Sequence, residues 1–225
     1  MYEQTENIGP RYPASTSGSL LPGSLRRDVA DLNGQFLRLL HAGAWLSGPR
    51  WPARPPFVAE GLNAESIDAM AACPFTLFEL RLGDLPSETL TPDAQVRDAQ
   101  RSAASPTDLR CQALAHGALM LAWRLADASP LSLRLALGLP AAAELLMNET
   151  RVSSLVTWAR TSNLLGARWA DHPVFWPNLL RAGHLRDTAS MSRTHCLGIT
   201  LLVGELGLRE FDGACARHGA LRNRR

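Results

Sequence analysis

Apolar residues recur at helical spacing through the middle of the chain, most densely over residues 116–169. Leu114, Ala118, Leu121, Ala122 and Leu125 fall at i, i+4, i+7, i+8 and i+11, which lines one face of a helix. Leu119, Met120 and Trp123 make its other faces apolar too. This helix is therefore expected at the centre of a bundle or shared with a partner chain. With Trp123 in the core, Trp123→Ala would cost roughly 3–5 kcal/mol. Ser129 and Pro130 then read as an N-cap and a proline at the first helical position, with Gly138 as the stop. The intervening L-S-L-R-L-A-L also alternates with period two and would suit a strand. A third helix is expected from Pro140 to about Asn148. A fourth turns Val152, Leu155, Val156 and Ala159 inward and ends by Asn163.

The flanks are less regular. Residues 1–26 are rich in Gly, Pro, Ser and Thr and read as a flexible tail. Val29, Leu32, Phe36, Leu39 and Leu40 carry a first helix to about Trp45, capped by Asp28 or Asp31. Four prolines in residues 48–56 stop it. A second helix, capped by Asn63 or Ala64, runs to about Ala72 with Ile67, Met70 and Ala71 inward, and Pro74 ends it. The following P-F-T-L-F-E-L-R-L alternates like a short strand, with helix as the weaker reading. Residues 89–107 are polar and mark the best boundary between halves. Residues 173–180 form an aromatic-rich helix ended by Gly183. Asp187 caps a last helix, with His195, Leu197, Ile199, Leu201, Leu202 and Leu206 as inward candidates. Residues 217–225 are a basic, frayed end.

The chain also repeats itself. Arg81-Leu-Gly-Asp84-Leu-Pro86 and Arg168-Trp-Ala-Asp171-His-Pro173 share R-x-x-D-x-P, and Leu62-Asn-Ala-Glu65 precedes the first as Leu139-Pro-Ala-Ala142 precedes the second. A degenerate duplication is the expectation, with Asp84 and Asp171 capping whatever helix follows each. The L-x-L-A-x-R-L beginning at Leu119, the L-G-L ending at Leu139, and Ala159, Thr161, Leu164 and Leu165 before Arg168-Trp169 resemble the FlhD family. These are helical subunits of the flagellar master transcription regulator of proteobacteria. Asp31-Leu32-Asn33 looks like the D-[IL]-N that opens the first helix of that family. Residues 192–202 are similar to the I-H-x-G-I-M-L of its C-terminal helix, with one extra residue after His195. Residues 114–121 match the same segment without the insertion, so one helix ends the first copy and opens the second.

The fold class expected is all-α: two small helical-bundle modules sharing a central helix, with room for one short extended pair from P-F-T-L-F-E-L-R-L and L-L-G-A-R-W. The divisions are a tail (1–26), a degenerate FlhD-like module (27–110), a fuller one (111–210) and a basic C-terminal tail (211–225). The resemblance implies a transcriptional regulator subunit that binds DNA within a hetero-oligomer. Its partner would be FlhC-like, the subunit that in that family carries the zinc site and most of the DNA contact, or another protein; homo- or hetero-oligomers are both open. Two features depart from the family. The proline loop stands where the family has helix, and Gly166 stands near the family's cysteine. A fused tandem would make an inter-subunit disulfide there unnecessary.

Composition adds exclusions more than assignments. With 46% apolar residues the 225-residue chain can fill a core, and a formal charge of +2 is too small to demand a nucleic-acid partner. All 23 basic residues are arginine, which suits phosphates but equally suits a GC-rich genome. Cys73, Cys111, Cys196 and Cys215 lack C-x-x-C or finger spacing, so no metal or cofactor is expected. No apolar run is long enough for a membrane span, no signal peptide fits the N-terminus, and a reduced cytoplasmic location follows. His116 and His195 lack a nucleophile or carboxylate at a recognised spacing, so no enzyme is expected. Residues 140–161 suit a helix-turn-helix with Asn148-Glu149-Thr150 as the turn. Arg151, Ser154, Thr157, Arg160 and Thr161, with Trp158, would then lie on the outer face as DNA-contact candidates; a plain helical hairpin is the alternative. Arg217, Arg222, Arg224 and Arg225 offer phosphate contacts or a solubilising tail. The competing function is a helical adaptor of a secretion or mobile-element apparatus that touches only proteins.

Overall fold

The computed structural model describes residues 21–43, 61–84, 106–160 and 164–222, leaving out the side chains of residues 84 and 208–222. Within them the fold is all-α with one short antiparallel pair. The elements are α1 (Gly23–His41), α2 (Ala64–Ala71), β1 (Phe78–Leu80), a 3-10 turn (Leu82–Asp84), α3 (Pro106–Ala128), α4 (Pro130–Leu137), α5 (Ala141–Glu149), α6 (Val152–Trp158), β2 (Leu165–Ala167), α7 (Phe175–Leu185) and α8 (Thr188–Arg222). Helix α1 packs on α2 and α3. Helices α4, α5 and α6 all pack on α3, while α7 lies between α2 and α8. The central place expected for α3 is therefore observed, and Leu114, Ala118, Leu121, Ala122 and Leu125 are all buried.

Several expected boundaries shift for identifiable reasons. Helix α1 starts within the expected tail, because Leu21 and Leu25 continue the stripe of Val29, Leu32 and Phe36 and are buried with them. Neither Asp28 nor Asp31 caps it; Pro22 occupies the N-cap. Residues 44–60, which hold Trp45 and the proline loop, lie outside the described residues, as do residues 85–105 at the expected boundary between halves. Helix α4 settles the ambiguous L-S-L-R-L-A-L as helix. Gly138 ends it at φ +62° and donates its N–H to the Arg134 carbonyl at 2.8 Å, the left-handed stop that glycine adopts freely. Gly183 does not end α7. It is buried inside the helix because a Cβ there would stand 2.7 Å from Met70 Cγ, so its lack of a side chain lets α7 close on α2. Nor does Asp171 cap α7: His172 Nδ1 accepts from the N–H groups of Val174 and Phe175, at 3.3 and 3.1 Å. Asp187 does cap α8, accepting from Ala189 and Ser190 N–H at 3.0 and 3.1 Å. These bonds, with the Ser190 hydroxyl first, hold its carboxyl below the usual range. The expected C-terminal tail is helical backbone as far as Arg222.

Trp123 is the clearest correction on α3. Trp123 is 37% exposed, and its indole N–H donates to the Thr150 carbonyl at 3.2 Å. Trp123→Ala is now expected to cost roughly 1–2 kcal/mol, a hydrogen bond and part of a ring's buried area, rather than the core value. Urea unfolding checks this; a loss above about 3 kcal/mol would mean that the ring is covered in solution.

The two R-x-x-D segments meet across the strand pair. Phe78, Glu79 and Leu80 face Ala167, Gly166 and Leu165. Just beyond the ladder, Arg81 N–H donates to Leu164 O at 2.9 Å and Arg168 N–H to Leu77 O at 3.0 Å. The reciprocal bonds relate the two arginines by a local two-fold through Glu79 and Gly166. Burial repeats with them. Ile67, Met70 and Ala71 of α2 are buried, as are Leu155, Trp158 and Ala159 at α6, and so are Leu32, Leu37 and Leu39 of α1 and Leu114, Leu119 and Leu121 of α3.

Candidate functional site

The expected DNA-contact residues sit on and around α6, a helix of seven residues. Its approach is fixed from two sides: Thr150 Oγ1 donates to Leu146 O at 2.6 Å, and the Trp123 indole holds the Thr150 carbonyl. Helices α5 and α6 each pack on α3 far more than on one another, which is not how the two helices of a helix-turn-helix brace each other. Arg151 at the N-cap and Arg160 beyond the last turn are exposed, while Ser154 and Thr157 are half-buried. Trp158, expected outside, is buried, and Thr161 lies outside the described residues. Val152 and Val156, expected inside, are 43% and 41% exposed. The helix period explains the inversion. Leu155, Trp158 and Ala159 take the inward stripe, which leaves Val152, Ser153 and Val156 to protrude. Arg151 and Arg160 can contact phosphates from the two ends of α6. The protruding face between them is apolar and carries little base-reading chemistry.

The polar centre of the molecule is elsewhere. Arg168 is 2% exposed. Its Nε donates to Thr76 O at 3.0 Å, and its Nη2 to Thr76 Oγ1, Phe78 O and Leu137 O at 3.2, 3.1 and 2.6 Å. Nη1 lies 3.8 Å from Glu205 Oε2, and the guanidinium carbon is 5.6 Å from the Trp169 ring. Glu205 also accepts from the Trp169 indole at 2.5 Å, and the Trp176 indole donates to Arg168 O at 2.7 Å. One guanidinium therefore ties the segment before β1, the end of α4 and helix α8 together. This is a structural bolt with no open face for a substrate. Its partner across the two-fold, Arg81, is half-buried, pairs with Glu79 at 2.6 Å, and covers Gly166. A Cβ on Gly166 would lie 2.9 Å from Arg81 Nε, so a cysteine in the family's place would displace that side chain.

His195 is half-buried, with Nε2 unpaired among the described residues, and burial pulls its pKa below the ordinary value. Burial pushes the Cys73 thiol far above its usual range, which makes it inert. Among the described residues no group of His, Cys, Asp and Glu side chains could hold a metal ion, and no single helix is long and apolar enough to cross a membrane. Sequence reasoning passed over Arg181 and Arg193, which line a cleft of about 290 Å³ between α7 and α8. The available signal was each arginine standing three residues after an oxygen-bearing side chain, Asn178 and Ser190. Comparison with protein-family models, curated proteins and solved structures finds no match to this chain.

Proposed function

We propose that this chain is an FlhD-like subunit of a transcriptional regulator, acting in the cytoplasm within a hetero-oligomer and reaching DNA through that complex, without catalysis of its own. The observation that carries the reading is the local two-fold at the strand pair. The segments that resemble the family, Asp31-Leu32-Asn33 and the L-x-L-A-x-R-L from Leu119, lie on helices α1 and α3, which pack on each other, and Arg81 N–H donates to Leu164 O as Arg168 N–H donates to Leu77 O. A fused tandem of this kind would supply in one chain what a pair of subunits supplies otherwise. Direct DNA contact by this chain is minor in this reading, because its net charge is only +2 and α6 protrudes through valines.

A second reading, the protein-only adaptor, is favoured by the exposure of Trp123, Val152 and Val156 where α3 and α6 meet solvent. Mobility shifts at two salt concentrations separate the two, using the purified chain alone and then with its co-purifying subunit. The lone chain is expected to bind duplex DNA poorly at physiological salt, since non-specific affinity scales with the phosphates neutralised; the complex is expected to bind with a steep salt dependence. Tight binding by the lone chain, lost on Arg151→Ala plus Arg160→Ala, would replace the partner-dependent reading with direct recognition by α6. Absence of binding in both conditions would leave the adaptor.

A further inference from the structure

The cleft between α7 and α8 is lined by Asn178 and Arg181 on one side and Ser190, Arg193, Thr194 and Leu197 on the other. Each arginine is pinned at its helix surface by a neutral acceptor: Arg181 Nη2 donates to Asn178 Oδ1 at 3.1 Å and Arg193 Nη2 to Ser190 Oγ at 3.0 Å. Those bonds orient the guanidiniums through neutral oxygens, and each fork retains further N–H donors; the charge of Arg193 also reaches Asp187 and helps to lower its carboxyl. No carboxylate lines the cleft. Asp187 stands nearby, but its oxygens accept from Ala189 N–H, Ser190 N–H and the Ser190 hydroxyl, so it caps α8 and the helix N-terminus is not open to a ligand. Arg186 is ion-paired with Glu65, outside the cleft lining. Thr194, 3% exposed, lies on the cleft wall and donates its hydroxyl to Ser190 O at 2.9 Å, which leaves the hydroxyl oxygen as an acceptor.

From this arrangement we propose that the α7–α8 cleft is a phosphate-binding site, with Arg181 and Arg193 as its two clamps. Two pre-oriented guanidiniums facing one cleft repel each other until an anion lies between them. A carboxylate offers two oxygens, which one arginine satisfies; a phosphate group offers oxygens to both forks at once. The phosphate belongs either to a nucleic-acid backbone or to a small phosphorylated ligand. The site does not depend on the DNA reading, because free phosphate tests it with neither DNA nor partner present.

Nitrogen-15 spectra of the arginine Nε–H groups, recorded on the full chain during titration with inorganic phosphate, read the site directly. Chloride at matched ionic strength is the control. Saturable shifts of Arg181 and Arg193, with Arg186 unmoved, are expected. Arg181→Gln plus Arg193→Gln should weaken phosphate binding by about tenfold or more, the scale set by losing charge-assisted hydrogen bonds. Both side chains are exposed, so the variant should keep its far-ultraviolet circular dichroism; if it does not, the wild-type titration against chloride decides alone. A short duplex that displaces phosphate from these signals assigns the cleft to a nucleic-acid backbone, and phosphate binding that a duplex leaves intact assigns it to a small ligand. Equal shifts with chloride, or phosphate binding unchanged in the double variant, would overturn the proposal.

Discussion

Arg168→Ala is expected to lower the unfolding free energy by about 3–5 kcal/mol, the usual consequence of removing one member of a buried, hydrogen-bonded charge set. The loss arises less from the ion pair than from what is left behind. Glu205 is one-third exposed and can turn to water, but the carbonyls of Thr76, Phe78 and Leu137 lose the donor that reaches all three. Leaving buried acceptors unpaired costs about 1–3 kcal/mol each. Arg168→Lys should recover little, because a single ammonium cannot span acceptors held by a planar fork. Arg81→Ala is the internal control. It sits at the two-fold-related position yet makes only a half-exposed pair with Glu79, and such pairs contribute about 0–1 kcal/mol. Urea unfolding followed by circular dichroism distinguishes the two sites. Equal, small losses for both variants would mean that Arg168 is solvated and that the bolt does not exist in solution.

That contrast marks how far the sequence could be read. Helices and their inward stripes were legible where apolar periodicity was strong, as at Leu114, Ala118, Leu121 and Ala122. Caps were legible where a short polar side chain precedes a helix: Asn63 accepts from Ser66 N–H at 2.8 Å. The strand pair was legible too, through the alternation of Phe75, Leu77, Phe78 and Leu80 together with the matching R-x-x-D. The roles of the two arginines in that motif were not. Both read alike in one dimension, and only the packing of α4 and α8 around β2 buries one of them. The outward turn of Val152 and Val156 was missed for a related reason. In a helix of two turns a pair of apolar stripes fits the spacing equally well, and the tertiary partner, here α3, chooses between them.

The candidate contact residues fared according to what each needed from the third dimension. Arg151 and Arg160 are exposed, as charged side chains at helix ends usually are. Ser154 and Thr157 are half-buried against the bundle, which no local pattern encodes. Arg181 and Arg193 come together because α8 folds back along α7. Their separation in sequence gives no sign of that meeting.

The second large effect is expected at Asn33, the asparagine of the segment that resembles the opening of the family's first helix. It is a fully buried polar residue in the middle of α1, where an apolar side chain would ordinarily stand. Its amide nitrogen reaches Phe75 O at 2.9 Å and Ala71 O at 3.3 Å, and its oxygen accepts from Leu77 N–H at 2.8 Å. Ala71 is the last residue of α2, and Phe75 and Leu77 belong to the turn between α2 and β1, whose backbone has left the helix and has not yet entered the ladder. Asn33 therefore does for that turn what a neighbouring strand would do, and it sets the position from which β1 meets β2. Asn33→Leu keeps the volume and removes both functions, stranding the Leu77 N–H and the Phe75 carbonyl in the core. A loss of about 2–4 kcal/mol is expected, with faster hydrogen exchange at the amides of Thr76, Leu77 and Phe78 even under conditions where α3 stays protected. Asn33→Asp should be as damaging, since a carboxylate can accept from Leu77 but cannot donate to Phe75. If Asn33→Leu proves neutral or stabilising, the turn draws its hydrogen bonds from elsewhere, and Asn33 is not what positions β1 against β2.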